Sequence, residues 1–181
     1  MAAFPKPYAD IVARLRVPGG FLIVAAFAWF SRPTALSLIV GLPIALLGLA
    51  LRAWAAGCLS KDRQLATAGP YAYTRNPLYL GTLIVAAGLA VAARSVLLAA
   101  LFATVFFFIY LPVIQNEQQH LHELFEEYAE YAKDVPMLWP RFRRAGARAG
   151  FGWSLYRKNR EYQAALGFAV FALFLIWKSQ R

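Results

Sequence analysis

The sequence is poor in the residues on which many proteins build their structure and chemistry. Its single cysteine, Cys58, excludes a framework of intramolecular disulfides, and no Cys/His cluster has the spacing of a structural zinc site. Only 15% of the 181 residues are charged, whereas 60% are apolar and the mean hydropathy is +0.49. This balance excludes a disordered chain and an ordinary soluble domain, and it indicates an integral membrane protein.

Five uncharged stretches are candidate membrane spans. They are Val17 to Ser31, Pro33 to Leu51, Asn76 to Ala93, Ser95 to Asn116 and Tyr162 to Trp177. A helix needs about 20 residues to cross the hydrocarbon, so the second and fourth are long enough, and the first and last are marginal. Only Arg94 and Ser95 separate the third stretch from the fourth, which predicts a tight antiparallel helical hairpin. We therefore predict an all-α polytopic bundle of about five membrane helices.

The distribution of positive charge supports this topology. If all five stretches cross, four of the 19 Lys and Arg residues lie on one side, namely Arg32, Arg94, Lys178 and Arg181, and the other fifteen lie with the N-terminus. The bias does not require the last stretch to cross, since an uncrossed last stretch would strengthen it. The more basic side of a membrane protein faces the cytoplasm, so we expect a cytoplasmic N-terminus and active-site face. The charge bias suits a bacterial inner membrane and the endoplasmic reticulum equally, and the richness in alanine favours the bacterial inner membrane.

The net charge of +10 is explained by orientation and lipid-headgroup contact. No basic recognition helix or stacked-aromatic RNA motif is visible, so we expect no nucleic-acid partner.

A first cytoplasmic segment, Lys61 to Gly81, carries more information than anchoring requires. Its Pro77 predicts the first turn of a helix, so Arg75 and Asn76 lie at a helix N-terminus at the membrane edge. Free backbone N–H groups beside a guanidinium suit a carboxylate or a phosphate. The alternative is that Arg75 extends to a lipid phosphate and the neighbouring tyrosines belong to the interfacial aromatic belt.

A second segment, Gln115 to Pro140, has apolar residues at three- and four-residue steps until Pro136. This spacing predicts one amphipathic helix that continues from the fourth span, with Pro112 bending the junction. Glu117 lies at the mouth of that span, where an acid requires a cationic partner. Arg75 or a positively charged ligand could supply the partner, and a plain ion pair is the structural alternative. A di-iron site at Glu117 and His120 would need carboxylates from other spans, which carry none, so we predict no metal.

Together these residues resemble the isoprenylcysteine carboxyl methyltransferase and phospholipid methyltransferase superfamily. The resemblance covers roughly Leu65 to Pro140. The pattern Arg-His-Pro-x-Tyr-x-Gly of that superfamily is matched except that Asn76 replaces the histidine, and Asn cannot titrate. Glu117 is the one acid that survives from the paired acids of its second pattern. Met137 follows Val135-Pro136 where the superfamily has an arginine, for which Arg141 is a possible substitute.

The resemblance implies a membrane enzyme that binds S-adenosylmethionine and methylates a hydrophobic acceptor in the bilayer. The acceptor would be an isoprenoid-thioether carboxylate or a lipid amine or acid. No Gly-x-Gly-x-x-Gly follows a strand, which agrees with the lack of a Rossmann domain. Arg75 and Glu117 are implied as the catalytic residues. The implied cofactor-binding residues are Tyr71, Tyr73, Arg75, Asn76, Pro77, Tyr79, Gly81, Glu117, Leu121, Tyr128 and Tyr131.

We predict a single domain over residues 1–181, with a cofactor-binding core at about 61–140 and an extra hydrophobic helix at about 162–177. Two other functions fit parts of the pattern. A nicotinamide-dependent membrane reductase is possible because sterol reductases have a similar C-terminal region. A non-enzymatic membrane adaptor would use Glu117 for structure and Arg75 as a lipid anchor.

Overall fold

The computed structural model describes residues 23–61, 63–141 and 150–181. Within these ranges the chain is helical and contains no strand. The helices are α1 (23–30), α2 (Ala35–Cys58), α3 (Pro77–Ala93), α4 (Val96–Leu124), α5 (Tyr128–Asp134), α6 (Trp153–Lys158) and α7 (Tyr162–Ser179), with a 3-10 turn at Gly69–Ala72. The predicted all-α membrane helix bundle is confirmed.

Three of the helices are long and apolar enough to cross a membrane: α2 with 24 residues, α4 with 29 and α7 with 18. The third predicted span forms α3, which is shorter at 17 residues. Residues 17–22 of the first predicted span, Val17 to Ser31, lie outside the described residues, and residues 23–30 of this span form α1. In α4 a π-helical turn at Phe106–Tyr110 precedes Pro112, so the distortion expected at this proline begins one turn earlier. The turn accommodates the ring and the missing N–H of the proline.

The described chain divides into two compact units. The first unit contains residues 23–45, Ala86–His120 and Ala172–Arg181. Thr34 and Ser37 exchange hydrogen bonds between side chain and backbone and so begin α2. The Ser37 hydroxyl also donates to the Ala92 carbonyl at 2.8 Å, which joins α2 to the end of α3.

The predicted hairpin between α3 and α4 lies in this unit and is confirmed. Arg94 adopts φ 50°, and the amides of Arg94 and Ser95 donate to the carbonyls of Val91 and Ala90, which forms a Schellman motif. The Ser95 hydroxyl then accepts from the Leu98 amide and caps α4. One residue ends α3 and the next begins α4, so no loop is needed.

Arg32, Arg94 and Lys178, which the charge count assigns to the less basic side of the membrane, lie at one end of the first unit. The Arg32 amide donates to the Ala93 carbonyl at 2.8 Å, beside Arg94. The Lys178 ammonium donates to the Ala28 carbonyl at 2.6 Å and to the Ser31 hydroxyl at 3.2 Å. The end of α7 therefore lies against the end of α1.

The second unit contains Leu46–Val85 and Leu121–Phe171. Here the second half of α2 packs against the first half of α3 through Gly48 and Gly81, where a side chain would collide with the facing backbone or with Arg52. Small residues let membrane helices approach closely. The Gly152 amide donates to the Gly57 carbonyl at 2.9 Å, so the segment before α6 docks on the end of α2.

Candidate functional site

The candidate site is built on the turn before α3. Gly69 adopts φ 62°, a backbone conformation that favours glycine, and Pro70 follows it. The amides of Tyr73 and Thr74 donate to the Pro70 carbonyl, which closes the turn. Tyr71, Thr74 and Asn76 are buried, so this turn has a fixed conformation directly before Pro77 begins α3.

Residues 136–141, which we call the strap, cross this turn and hold it. The Arg75 amide donates to the Pro136 carbonyl at 2.9 Å, and the Asn76 side-chain amide donates to the Met137 carbonyl at 2.8 Å. The Arg141 amide donates to the Tyr73 carbonyl at 3.0 Å, so the possible substitute for the family arginine lies beside the turn. The two segments singled out in the sequence therefore meet, although about 60 residues separate them.

Arg75 and the tyrosines of α5 form the centre of the site. The Arg75 guanidinium is partly buried and its Nη1 donates to the Tyr128 hydroxyl at 3.3 Å. The Tyr131 hydroxyl donates to the Tyr71 carbonyl at 2.6 Å. The rings of Tyr128 and Tyr131 meet edge to face, with centroids 6.1 Å apart. One cation and two aromatic rings are thus fixed together at the start of α3.

The surroundings of Tyr131 shift its proton affinity. Burial raises the pKa of the Tyr131 phenol above its usual value, and the neighbouring Tyr128 adds to this pKa rise, while the positive charge of Arg75 opposes it. The phenol is therefore neutral at physiological pH and acts as the hydrogen-bond donor to Tyr71.

The predicted single helix over the second segment is wrong. Helix α4 ends at Leu124, a turn at 125–127 follows, and α5 begins at Tyr128. The Tyr128 amide donates to the Phe125 carbonyl, three residues back, which marks the tight turn. In a continuous helix, Tyr128 would lie on the apolar face of α4. The break in the helix instead brings Tyr128 to Arg75. The apolar periodicity could not show this break, because it continues through the turn.

Several other predicted site residues lie on the helices. Tyr79 is partly buried in the first turn of α3, and Leu121 is partly buried on α4. Gly81 lies against Gly48 and Arg52, which gives it a helix-packing role. Glu117 is partly buried on α4 within the first unit, whereas Arg75 belongs to the second unit. The predicted pairing of Glu117 with Arg75 stays a prediction.

An ion pair that we did not predict from the sequence joins Arg52 to Glu161 in the second unit. The Arg52 guanidinium binds both carboxylate oxygens of Glu161, with Nη2 to Oε2 at 3.0 Å. Arg52 is the only charge between Pro33 and Ser60, and Glu161 is the only acid after Pro140. A single charge within one apolar stretch and a single acid directly before another are the signal that could have predicted this pair.

No group of three or more His, Cys, Asp or Glu side chains that could hold a metal ion occurs among the described residues. His120 and His122 are exposed on α4, and the His122 ring contacts Tyr128 with centroids 6.1 Å apart.

Comparison with known proteins places the chain in a family. The phospholipid methyltransferase family model matches residues 36–128, about half of the chain, from α2 to the first residue of α5. The chain is 37% identical over 116 residues to the cobalt-zinc-cadmium resistance protein CzcN of Cupriavidus metallidurans, which covers 62% of this chain and 52% of that protein. It is 31% identical over 141 residues to the nickel-cobalt-cadmium resistance protein NccN of Alcaligenes xylosoxydans xylosoxydans, which covers 77% and 60%.

The chain thus matches between half and two thirds of the length of these relatives. No solved structure matches it. The family match includes Arg75, Glu117 and Tyr128, whereas Tyr131, the strap and Glu161 lie beyond it. The chain belongs to the phospholipid methyltransferase family.

Proposed function

We propose that the protein transfers a methyl group from S-adenosylmethionine to a hydrophobic acceptor that resides in the membrane. The observation that carries this proposal is the geometry around Arg75. A guanidinium held by Tyr128 lies at the beginning of α3, next to the ring pair of Tyr128 and Tyr131. Family membership supports the same chemistry.

The residues at this position fit the chemical groups of the cofactor. S-adenosylmethionine carries a carboxylate, which suits Arg75 and the partial positive charge at the start of α3. The faces and edges of Tyr128 and Tyr131 suit the adenine ring or the sulfonium. From the resemblance to the family, and not from the geometry around Arg75, we propose that Glu117 binds the ammonium or the ribose hydroxyls of the cofactor.

When bound, the cofactor supplies a methyl group on a positively charged sulfur. The role of the protein is to bind and orient the two reactants and to exclude water from the site. Arg75 fixes the carboxylate end, and this anchoring aligns the reactive end with an acceptor, which accounts for much of the acceleration in a two-substrate reaction. An anionic acceptor needs no base. An amine acceptor must lose a proton, and Glu117 is our candidate for accepting it.

The outer surface of the helices supports a membrane-resident acceptor. Large apolar side chains on three helices are between 64% and 72% exposed: Leu36, Ile39 and Leu47 on α2, Phe107 on α4 and Leu173 on α7. Such side chains face lipid when the helices cross a bilayer. We propose that the acceptor arrives laterally from the bilayer, and that the membrane is a bacterial inner membrane with Arg75 on its cytoplasmic side.

The test uses membranes that contain the protein, incubated with S-adenosylmethionine labelled in its methyl group. We expect label to enter the organic extract, and release by mild alkali to identify a methyl ester as opposed to a methylated amine. Membranes with the Arg75→Ala variant and membranes without the protein are the controls. Extracts without label above these controls, together with oxidation of added NADPH, would support the reductase instead.

A further inference from the structure

The side chain of Arg52 connects three parts of the second unit. Its Nε and Nη2 donate to the two oxygens of Glu161, and its Nη1 donates to the Thr82 hydroxyl and to the Leu78 carbonyl. All three guanidinium nitrogens are therefore engaged by protein groups. Arg52 lies in α2, Leu78 and Thr82 lie in the first two turns of α3, and Glu161 directly precedes α7.

Glu161 is held in place by the residues before it. The Asn159 side-chain amide donates to the carbonyls of Ala56 and Leu59 at 2.9 and 3.0 Å, which ties this segment to the end of α2. Arg160 adopts φ 54°, an unfavourable conformation for a residue with a side chain. Backbone strain of this kind persists only where the surrounding contacts impose it. The Glu161 side chain is only 9% exposed.

Stability alone does not account for the ion pair between Arg52 and Glu161. Moving two charges out of water costs about as much as their attraction returns, so a buried ion pair by itself is weak evidence of a stabilising role. Geometry supplies the reason: Leu78, which accepts from Arg52, lies three residues after Arg75. Supporting hydrogen bonds that fix the element under a binding residue are what holds such a residue in its productive orientation.

We propose that Glu161 acts through Arg52 as a positioning residue that fixes the first turns of α3 and thereby orients Arg75. The segment before α7, which lies beyond the residues matched to the family, would then contribute to the cofactor site. This inference rests on the proposed function only for its effect on cofactor binding. The effect on α3 itself is independent of that function.

Two variants separate the parts of this connection. Glu161→Gln keeps the shape of the side chain and removes its charge. Thr82→Val leaves the ion pair and the bond from Arg52 to the Leu78 carbonyl in place and removes the bond from Arg52 to the Thr82 hydroxyl of α3, so it tests the proposal even where the first variant fails to fold. The matched controls are Glu130→Gln, at an acid whose side chain is 76% exposed in an ion pair with Lys133, and Thr82→Ser, which keeps the hydroxyl.

The first measurement is calorimetric titration of the purified full chain with S-adenosylhomocysteine. We expect the Kd to rise about tenfold in Glu161→Gln and at least threefold in Thr82→Val, with unchanged stoichiometry. Both controls should stay within twofold of the starting protein. A merely structural pair would instead lower the stoichiometry or the melting temperature and leave the Kd of the folded fraction unchanged, which would overturn the proposal.

The second measurement is amide hydrogen exchange in the first turns of α3, from Leu78 to Thr82. We expect faster exchange there in both test variants and no change in either control, because local opening depends on the contacts that hold the segment. If the starting protein does not bind S-adenosylhomocysteine, the proposed function fails, and the exchange rates alone decide this inference. Unchanged exchange in both test variants would overturn it.

Discussion

At the scale of single residues, the site depends on side chains whose roles the sequence identified by type but not by partner. Asn76 is the best example. It replaces the family histidine, and in the structure its amide donates to the Met137 carbonyl at 2.8 Å. An amide makes this bond at any pH, whereas a histidine could lose or gain a proton there. Asn76 therefore holds the strap independently of pH, which is the structural consequence of replacing a titratable histidine by asparagine.

Tyr131 gives the protein a predictable response to alkaline pH. Its pKa is raised by burial, so folding favours the neutral phenol, and ionisation of the unfolded chain above about pH 10 pulls the equilibrium towards unfolding. The free energy of unfolding should fall as the pH rises through 10 towards the raised pKa. Tyr131→Phe should show a smaller fall, while losing about 1 kcal/mol at pH 7 because the bond to Tyr71 is gone.

Chemical unfolding in detergent at pH 8 and pH 11 checks this prediction. Tyr162→Phe is the matched control, because it makes the same substitution at an exposed tyrosine. Equal alkaline losses in the starting protein and in Tyr131→Phe would contradict the assignment.

At the scale of helices, the packing of α2 on α3 depends on glycines. In the first unit, a side chain at Gly88 would collide with the backbone of Ala45 and Gly41. Gly167 in α7 has open space around it. The same substitution should therefore have opposite effects at these two helical positions.

Gly88→Ala should destabilise the protein by about 1–3 kcal/mol, because the helices must separate. Gly167→Ala should be neutral or stabilise it by up to about 1 kcal/mol, since alanine is the better helix former. Thermal unfolding of the two purified variants measures both effects. A Gly88→Ala protein as stable as the starting protein would show that the close approach of α2 and α3 does not matter for stability.

Much of the helical architecture could be predicted from hydropathy. The uncharged stretches gave α3 and α7 almost to the residue, because charges interrupt membrane helices where they leave the hydrocarbon. The start of α4 followed from Arg94 and Ser95. The end of α2 could not be predicted in this way, because the charge of Arg52 indicates a boundary, whereas the helix continues to Cys58 and Arg52 pairs with Glu161 from within it. An ion pair between distant residues cannot be seen in a local pattern.

At the scale of the whole molecule, the site combines segments that are far apart in the chain. Motif resemblance found Arg75, Tyr128 and Tyr131, and the structure joins them around the turn before α3. The resemblance could not identify the carbonyls of Tyr71 and Met137 as hydrogen-bond partners, because backbone groups carry no sequence signature. The positions of residues 136–141 and 150–161 could not be predicted for the same reason, because they depend on hydrogen bonds to distant backbone groups.

In the function that we propose, Arg75 holds the carboxylate of S-adenosylmethionine at the start of α3. Titration of purified Arg75→Ala protein with S-adenosylhomocysteine tests it most directly, with Arg63→Ala as a control at an exposed arginine of the same segment. Loss of a charge-assisted bidentate contact of about 2–3 kcal/mol should weaken binding roughly 30- to 150-fold while the melting temperature changes little. Binding by Arg75→Ala as tight as by Arg63→Ala, in a folded protein, would contradict the claim.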